Sequence, residues 1–221
     1  MAGETTQTPI ITTLDLLEDL RNRGAITLEK LFEYRTKLRR AGYQLIPVTE
    51  DELAFHINHA TFVADALAET AELRAIRESL QKARMSKIIQ IPVEAPWLLT
   101  SMQSVVKVIR RLWQSKPNIR EVEACSYWLI GLLDIRGFAA SAIPGTERQF
   151  ALYGYSAQLM PLMTALESTK PETKQRYKAW LDESLLKAIR QTQPEVFAWL
   201  VGQCRALVAQ TAEMSIGDMN E

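Results

Sequence analysis

The sequence contains few of the residues from which most enzymatic centres are built. Two histidines, two cysteines and nine glycines are spread over 221 residues. The glycines form neither a phosphate-binding loop nor a dinucleotide-binding fingerprint, and no Gly-x-Ser-x-Gly elbow presents a serine nucleophile. Two cysteines are too few for a disulfide framework, and we expect Cys125 and Cys204 to be buried, reduced thiols. These absences favour a function that is not enzymatic.

The sequence also lacks an excess of charge of either sign. Lys plus Arg and Asp plus Glu each number 26, so the formal net charge is zero, whereas proteins that bind phosphate backbones usually carry a basic excess. No apolar run approaches the about 18–20 residues that span a bilayer. Residues 1–9 are polar and show no signal-peptide pattern. We therefore expect a cytoplasmic protein without a membrane partner.

Helical patterning dominates what is present. Thr49 and Glu52 form a capping box, which predicts a helix running towards Met85 with a break near residues 58–61. Residues 88–92 form a short extended stretch. Beyond Glu94 the apolar residues recur at helical spacing and form one face: Leu98, Met102, Val105, Val106, Ile109, Leu112 and Trp113.

The later part of the chain predicts further helices. Residues 119–135 are apolar nearly all round, which is typical of a central helix. A small-residue loop at 137–145 precedes a helix predicted over residues 146–168, with a kink at Pro161. Pro171 and Pro194 each suit the first position of a following helix. Residues 49–221 therefore predict a helical bundle.

The first 48 residues predict a small α/β segment. Residues 9–12 and 43–48 have the composition of short strands, and two helices, ended by Gly24 and Gly42, lie between them. Strands joined in this way would pair in parallel, and they would need their open edges covered by the protein's own helices or by a partner strand. The expected fold is mainly α, with residues 1–48 and 49–221 as its two domains.

Residues 10–53 resemble the C-terminal half of PIN-like nuclease domains. Three segments carry the resemblance: ITTLDLL at residues 11–17, LRNRGAI at 20–26 and LRRAGYQLIPV at 38–48. The resemblance covers about a fifth of the chain. It is strongest to the domains at the C-terminal end of large bacterial proteins with helical repeats, in which a helical segment follows. It implies a bacterial, defence-related setting.

The resemblance also implies a metal site, from which this chain departs. PIN-like domains gather carboxylates at the ends of parallel strands to hold Mg²⁺ or Mn²⁺. Here only Asp15, Glu18 and Asp19 fall where such acids are expected, and all three lie on one predicted helix. One cluster on one helix cannot surround a metal pair. We expect no nuclease activity unless another chain or segment supplies the missing carboxylates.

His56 and His59 are a second candidate metal pair. They are spaced i, i+3 on one predicted helix, with acidic residues nearby in sequence. The HExxH spacing is absent, and no second helix offers a Glu-x-x-His partner. The ordinary interpretation is a helix face that meets solvent or a neighbouring element, so no metal is expected here.

Basic residues cluster in two predicted helices and form the candidate nucleic-acid contacts: Arg35, Lys37, Arg39 and Arg40 in the first, and Lys107, Arg110 and Arg111 in the second. The solvated face of an amphipathic helix explains such clusters more simply.

The favoured function is a non-catalytic interaction or regulatory subunit with a protein partner and no cofactor. A metal-dependent PIN-type RNase completed by another chain and an RNA- or DNA-binding helical module are the alternatives.

Overall fold

The computed structural model describes residues 12–85, 95–115, 117–133, 157–166 and 169–217. These residues confirm a mainly α fold. They divide between Ile46 and Pro47 into two compact units. The predicted segments at residues 88–92 and 137–145 lie outside the described residues, as do residues 9–11 of the strand predicted over 9–12 and residues 146–156 of the helix predicted over 146–168.

The first unit contains two helices, α1 (Thr13–Asn22) and α2 (Leu28–Arg40). Thr12 and Asp15 form a reciprocal capping box, in which the Thr12 backbone N–H donates to the Asp15 carboxylate over 2.8 Å. Thr27 caps α2 by accepting from the Lys30 backbone N–H. Gly24 and Gly42 follow the helices with positive φ angles of 73° and 91°, as expected for residues that end a helix.

The predicted parallel strands are wrong. Thr12 caps a helix, and residues 43–48 form no strand. Leu45 has a φ of 59°, in the left-handed region that a strand does not tolerate, and Pro47 offers no backbone N–H to a ladder. In the described part of the chain the two strands are β1 (Thr61–Val63) and β2 (Ala66–Ala68), and they pair antiparallel.

This hairpin occupies the break that the sequence predicts after residue 58. The helix from the capping box, α3 (Glu50–Asn58), ends there, and α4 (Ala71–Met85) begins after the hairpin. Ala64 and Asp65 connect the strands with φ angles of 50° and 60°, which is the geometry of a type I′ turn. The register pairs Phe62 with Leu67.

The core of the second unit is formed by α3, α4, α5 (Ala95–Ser115) and α6 (Ile119–Leu132), together with buried residues of the later helices such as Leu162, Trp180 and Leu200. The apolar face predicted for α5 is confirmed, since all seven of its residues are buried. Helix α6 lies centrally as predicted and buries Cys125 and Leu129 completely. The predicted burial is confirmed for Cys125 but is wrong for Cys204, which is only half-buried, and neither cysteine forms a disulfide.

The remaining helices are short, except for the last. They are α7 (Met160–Met163), α8 (Pro171–Leu181), α9 (Lys187–Thr192) and α10 (Pro194–Gly217). Pro171 and Pro194 open helices as predicted. Pro161 lies in the first turn of α7, where its missing N–H costs nothing. Residues 146–156 of the helix in which a kink is predicted lie outside the described residues, so the kink stays a prediction. A π-helix at Asp182–Leu186 joins α8 to α9. No helix among the described residues has the length and hydropathy to cross a membrane.

Glu69 connects the hairpin to the helices on either side of it. Its carboxylate accepts two hydrogen bonds from the Arg77 guanidinium, at 2.6 and 3.0 Å, and one from Trp128 Nε1 on α6 at 3.2 Å. The side chain is 20% exposed. The hydrogen bond from Arg77 outweighs burial, and it holds the pKa of Glu69 below its ordinary value of 4.5.

We expect Glu69→Gln to lower the free energy of unfolding by about 1.5–3 kcal/mol at neutral pH, because hydrogen bonds to a charged, largely buried carboxylate are lost. A folded-state pKa below the ordinary value stabilises the fold fully above pH 4.5 and progressively less as the pH falls through the lowered value. The difference in the free energy of unfolding between wild type and the variant should therefore become smaller in acid. Urea unfolding at several pH values measures it.

The control is Asp182→Asn, which removes an exposed ion pair with Arg190. We expect that variant to lower the free energy of unfolding by less than about 1 kcal/mol. Equal losses in the two variants would contradict a special role for Glu69.

Candidate functional site

The three carboxylates of the nuclease hypothesis lie on α1, and each has a structural partner. Asp15 belongs to the capping box, and its side-chain hydrogen bond with Thr12 lowers its pKa. Glu18 accepts from Arg35 over 2.7 Å, which ties α1 to α2. Asp19 pairs with Arg23 one turn along at 2.8 Å. Among the described residues no group of three acidic, histidine or cysteine side chains is arranged to hold a metal.

The two histidines lie in different environments. His56 is 7% exposed on α3, whereas His59 is exposed just after the helix ends. The Phe55 ring contacts both, with centroid distances of 5.3 Å to His56 and 4.4 Å to His59. His59 Nδ1 lies 2.8 Å from the Phe55 carbonyl oxygen. The geometry is that of two rings packed on an aromatic neighbour.

Several of the predicted nucleic-acid contacts in the first unit are engaged within it. Arg35 and Arg39 are each 4% exposed. Lys37 pairs with Glu33 at 2.6 Å, and the pKa of Glu33 falls to about 2 because Lys30 and Lys37 both donate to it. Arg40 is exposed at the end of α2.

Two of the basic residues of α5 make contacts with other parts of the unit, and the third is exposed. Arg110 donates to Thr164 Oγ1 over 2.8 Å and to the Pro161 carbonyl, so it fixes the segment after α7. Arg111 makes a long ion pair with Glu50 at 3.8 Å. Lys107 is exposed. The nucleic-acid role of the seven residues stays a prediction.

The structure brings together an aromatic column that the sequence reasoning did not assemble. Trp113 on α5 lies 5.2 Å from Tyr177 and 5.6 Å from Trp180, both on α8. Tyr127 on α6 meets the Trp180 ring edge-on at 6.2 Å. The first three rings are at most 3% exposed, whereas Tyr127 is 48% exposed. The column therefore runs from the core to the surface and ends in Tyr127.

The inner part of the column is held firmly. The Tyr177 hydroxyl donates to the Leu162 carbonyl, and burial raises the pKa of Tyr177. The π-helix begins two residues after Trp180, and Ser184 Oγ donates back to the Trp180 carbonyl over 2.6 Å. π-Helical turns occur often at functional sites. Sequence periodicity could have found the individual rings, but not their stacking across three helices.

Charged side chains surround the exposed end of the column. Glu123 accepts two hydrogen bonds from Arg176, at 2.7 and 3.1 Å. Burial, with the negative charges of Glu183 and Glu123, raises the pKa of Tyr127, so its hydroxyl stays protonated and able to donate. We call Tyr127, Glu123, Arg176, Trp180 and Glu183 the tyrosine surface.

A polar pocket of about 270 Å³ lies between the hairpin and the start of α6. It is lined by Phe62, Asp65, Asn118, Arg120 and Glu121. Asn118 caps α6 and donates to the Glu121 carboxylate over 2.8 Å. Arg120 and Asp65 form a long ion pair at 3.8 Å, with both side chains about three-quarters exposed. This pocket is lined mainly by charged and polar side chains, unlike the apolar clefts that hold most small ligands.

Comparisons with protein families, with curated proteins and with solved structures found no match for this chain. The tyrosine surface and the hairpin are therefore candidate functional features on the basis of their geometry alone.

We expect Trp180→Ala to lower the free energy of unfolding by about 3–5 kcal/mol, because it removes a buried ring from the middle of the column. Tyr127→Ala should lower the free energy of unfolding by only about 1 kcal/mol. Half of that side chain already faces solvent, so the main loss is the edge-on contact with Trp180. Thermal and urea unfolding of the two variants provide the comparison. A Tyr127→Ala loss as large as that of Trp180→Ala would show that Tyr127 belongs to the core.

Proposed function

We propose that the protein is a non-catalytic helical subunit that binds, and thereby regulates, a protein partner. One observation carries this proposal: a large aromatic side chain, Tyr127, is exposed at the surface while its inner edge is fixed by a buried aromatic column. Tyrosine and tryptophan dominate the hot spots of protein interfaces because they bury much area with little loss of conformational entropy.

The surroundings of Tyr127 suit a protein surface rather than a small molecule. An interface hot spot is typically an anchor ringed by polar groups that exclude water, and here the Glu123–Arg176 pair and Glu183 take that position. The carboxylates of Glu123 and Glu183 favour a partner that presents a basic side chain next to an apolar recess.

The setting of this interaction rests on the sequence resemblance. Residues 10–53 resemble PIN-like domains of large bacterial proteins with helical segments, and this supports a bacterial, defence-related assembly by analogy. The carboxylates Asp15, Glu18 and Asp19 serve capping and ion-pair roles in α1, which supports a structural use of that segment.

The test is affinity capture with the tagged protein from lysate of its source organism, with and without RNase, read by mass spectrometry. We expect a stoichiometric protein that survives RNase. Tyr127→Ala should weaken its binding by about 30-fold or more, the loss typical of a hot-spot residue. Glu183→Lys should weaken it as well, because the charge facing a basic partner is reversed.

Matched controls come from the same chain. Tyr43 is exposed to a similar extent, 56%, and Glu195 is an exposed acid on α10, so Tyr43→Ala and Glu195→Lys should bind as wild type does. A partner that binds the Tyr127 variant equally well, or is lost on RNase treatment, would contradict the proposal. Manganese-dependent RNA cleavage abolished by Asp15→Asn would establish the nuclease alternative.

A further inference from the structure

We infer that the sulfur atoms of Cys204, Met163 and Met160 form a binding site for Cu(I), at the place where α10 packs against α7. This inference does not depend on the tyrosine surface. It rests on the distance between two of the sulfurs, on the partial burial of the three side chains and on the kind of ligand atom that they offer.

Two of the sulfur atoms lie at the separation that a shared metal ion requires. Cys204 Sγ donates to Met163 Sδ, and the two sulfurs are 3.9 Å apart. Metal–sulfur bonds of about 2.3 Å at trigonal or tetrahedral angles hold two ligand sulfurs about 3.8–4.0 Å apart. The thiol hydrogen is directed at Met163, so an ion that takes its place contacts both sulfurs. Binding breaks the S–H bond of Cys204 and forms a sulfur–copper bond, and the proton is released to solvent.

Met160 supplies the third sulfur. It is the first residue of α7 and Met163 is the last, and side chains three residues apart lie on the same face of a helix, with Cβ atoms about 5–6 Å apart. Methionine is unbranched and has three rotatable bonds, so its sulfur adapts to irregular sites. Cys204, Met163 and Met160 are all half-buried, which shelters their sulfurs and leaves a path by which an ion can enter.

The chemistry of these ligands selects the metal. Thiolate and thioether sulfurs are soft ligands that favour Cu(I), whereas Zn²⁺ is bound by cysteine, histidine and carboxylates, and Mg²⁺ by oxygen atoms. Within the described parts of the chain, no three histidine, cysteine or acidic side chains are grouped to bind one of these harder ions. We therefore expect the three sulfurs to bind Cu(I) and not Zn²⁺.

Competition with the Cu(I) chelator bicinchoninate, in the absence of oxygen, measures the affinity of the full chain. We expect the wild type to take one Cu(I) from the chelator. Cys204→Ser removes the thiolate and should weaken binding by at least about 100-fold, since the loss of an outer-shell partner alone costs about 10–100-fold. Met163→Leu and Met160→Leu conserve side-chain volume, and each should weaken binding by about ten-fold or more because one thioether is lost.

Matched controls are available for both types of ligand. Cys125→Ala removes the other thiol, and Met85→Leu changes a methionine on α4 that is 83% exposed. Both variants, and Tyr127→Ala, should bind Cu(I) as the wild type does. X-ray absorption at the copper edge should show only sulfur ligands, at about 2.3 Å.

Three results would overturn the inference: a wild type that binds Cu(I) no more tightly than Cys204→Ser, a Met163→Leu or Met160→Leu variant that binds as wild type does, or equal affinities for Cu(I) and Zn²⁺. Circular dichroism shows that each variant is folded, so that a loss of binding is assigned to the missing sulfur.

Discussion

Glu69 makes the hydrogen bonds on which the arrangement of the hairpin depends. A two-stranded hairpin of three-residue strands is not stable by itself, so it needs neighbours to hold it. The Glu69 carboxylate follows β2, and it is bound by Arg77 from α4 and by Trp128 from α6. These hydrogen bonds hold the end of the hairpin against α4 and α6. Trp128 lies on α6, so its hydrogen bond joins the hairpin to α6.

The orientation of α6 determines which of its side chains face solvent. With Trp128 directed to Glu69, the same helix buries Cys125 and Leu129 completely and leaves Tyr127 at the surface. Tyr127 then meets Trp180 and completes the column that begins at Trp113. The candidate interaction surface is therefore a consequence of core packing.

Charge is used in two different ways along the chain. In the first unit most charges make short-range structural contacts, such as Asp15 with Thr12 and Glu18 with Arg35. In the second unit the acids near Tyr127 and the Asp65–Arg120 pair stay at the surface, where they are available to a partner. A net charge of zero suits both uses. Neither a metal centre nor a phosphate-binding surface is needed to account for these positions.

The sequence by itself determined the helices and the points where they begin and end, because capping residues, glycine, proline and apolar periodicity act over a few neighbouring residues. Thr49, Gly24, Pro171 and the apolar face of α5 show this. It could not place the strands: residues 43–48 have strand composition, but the left-handed Leu45 excludes pairing, and the actual strands at residues 61–68 look like a break in a helix. Only the tertiary structure decided that Tyr127 ends an aromatic column and that Glu69 joins Arg77 to Trp128. Both depend on contacts between residues far apart in the chain, and no local pattern records them.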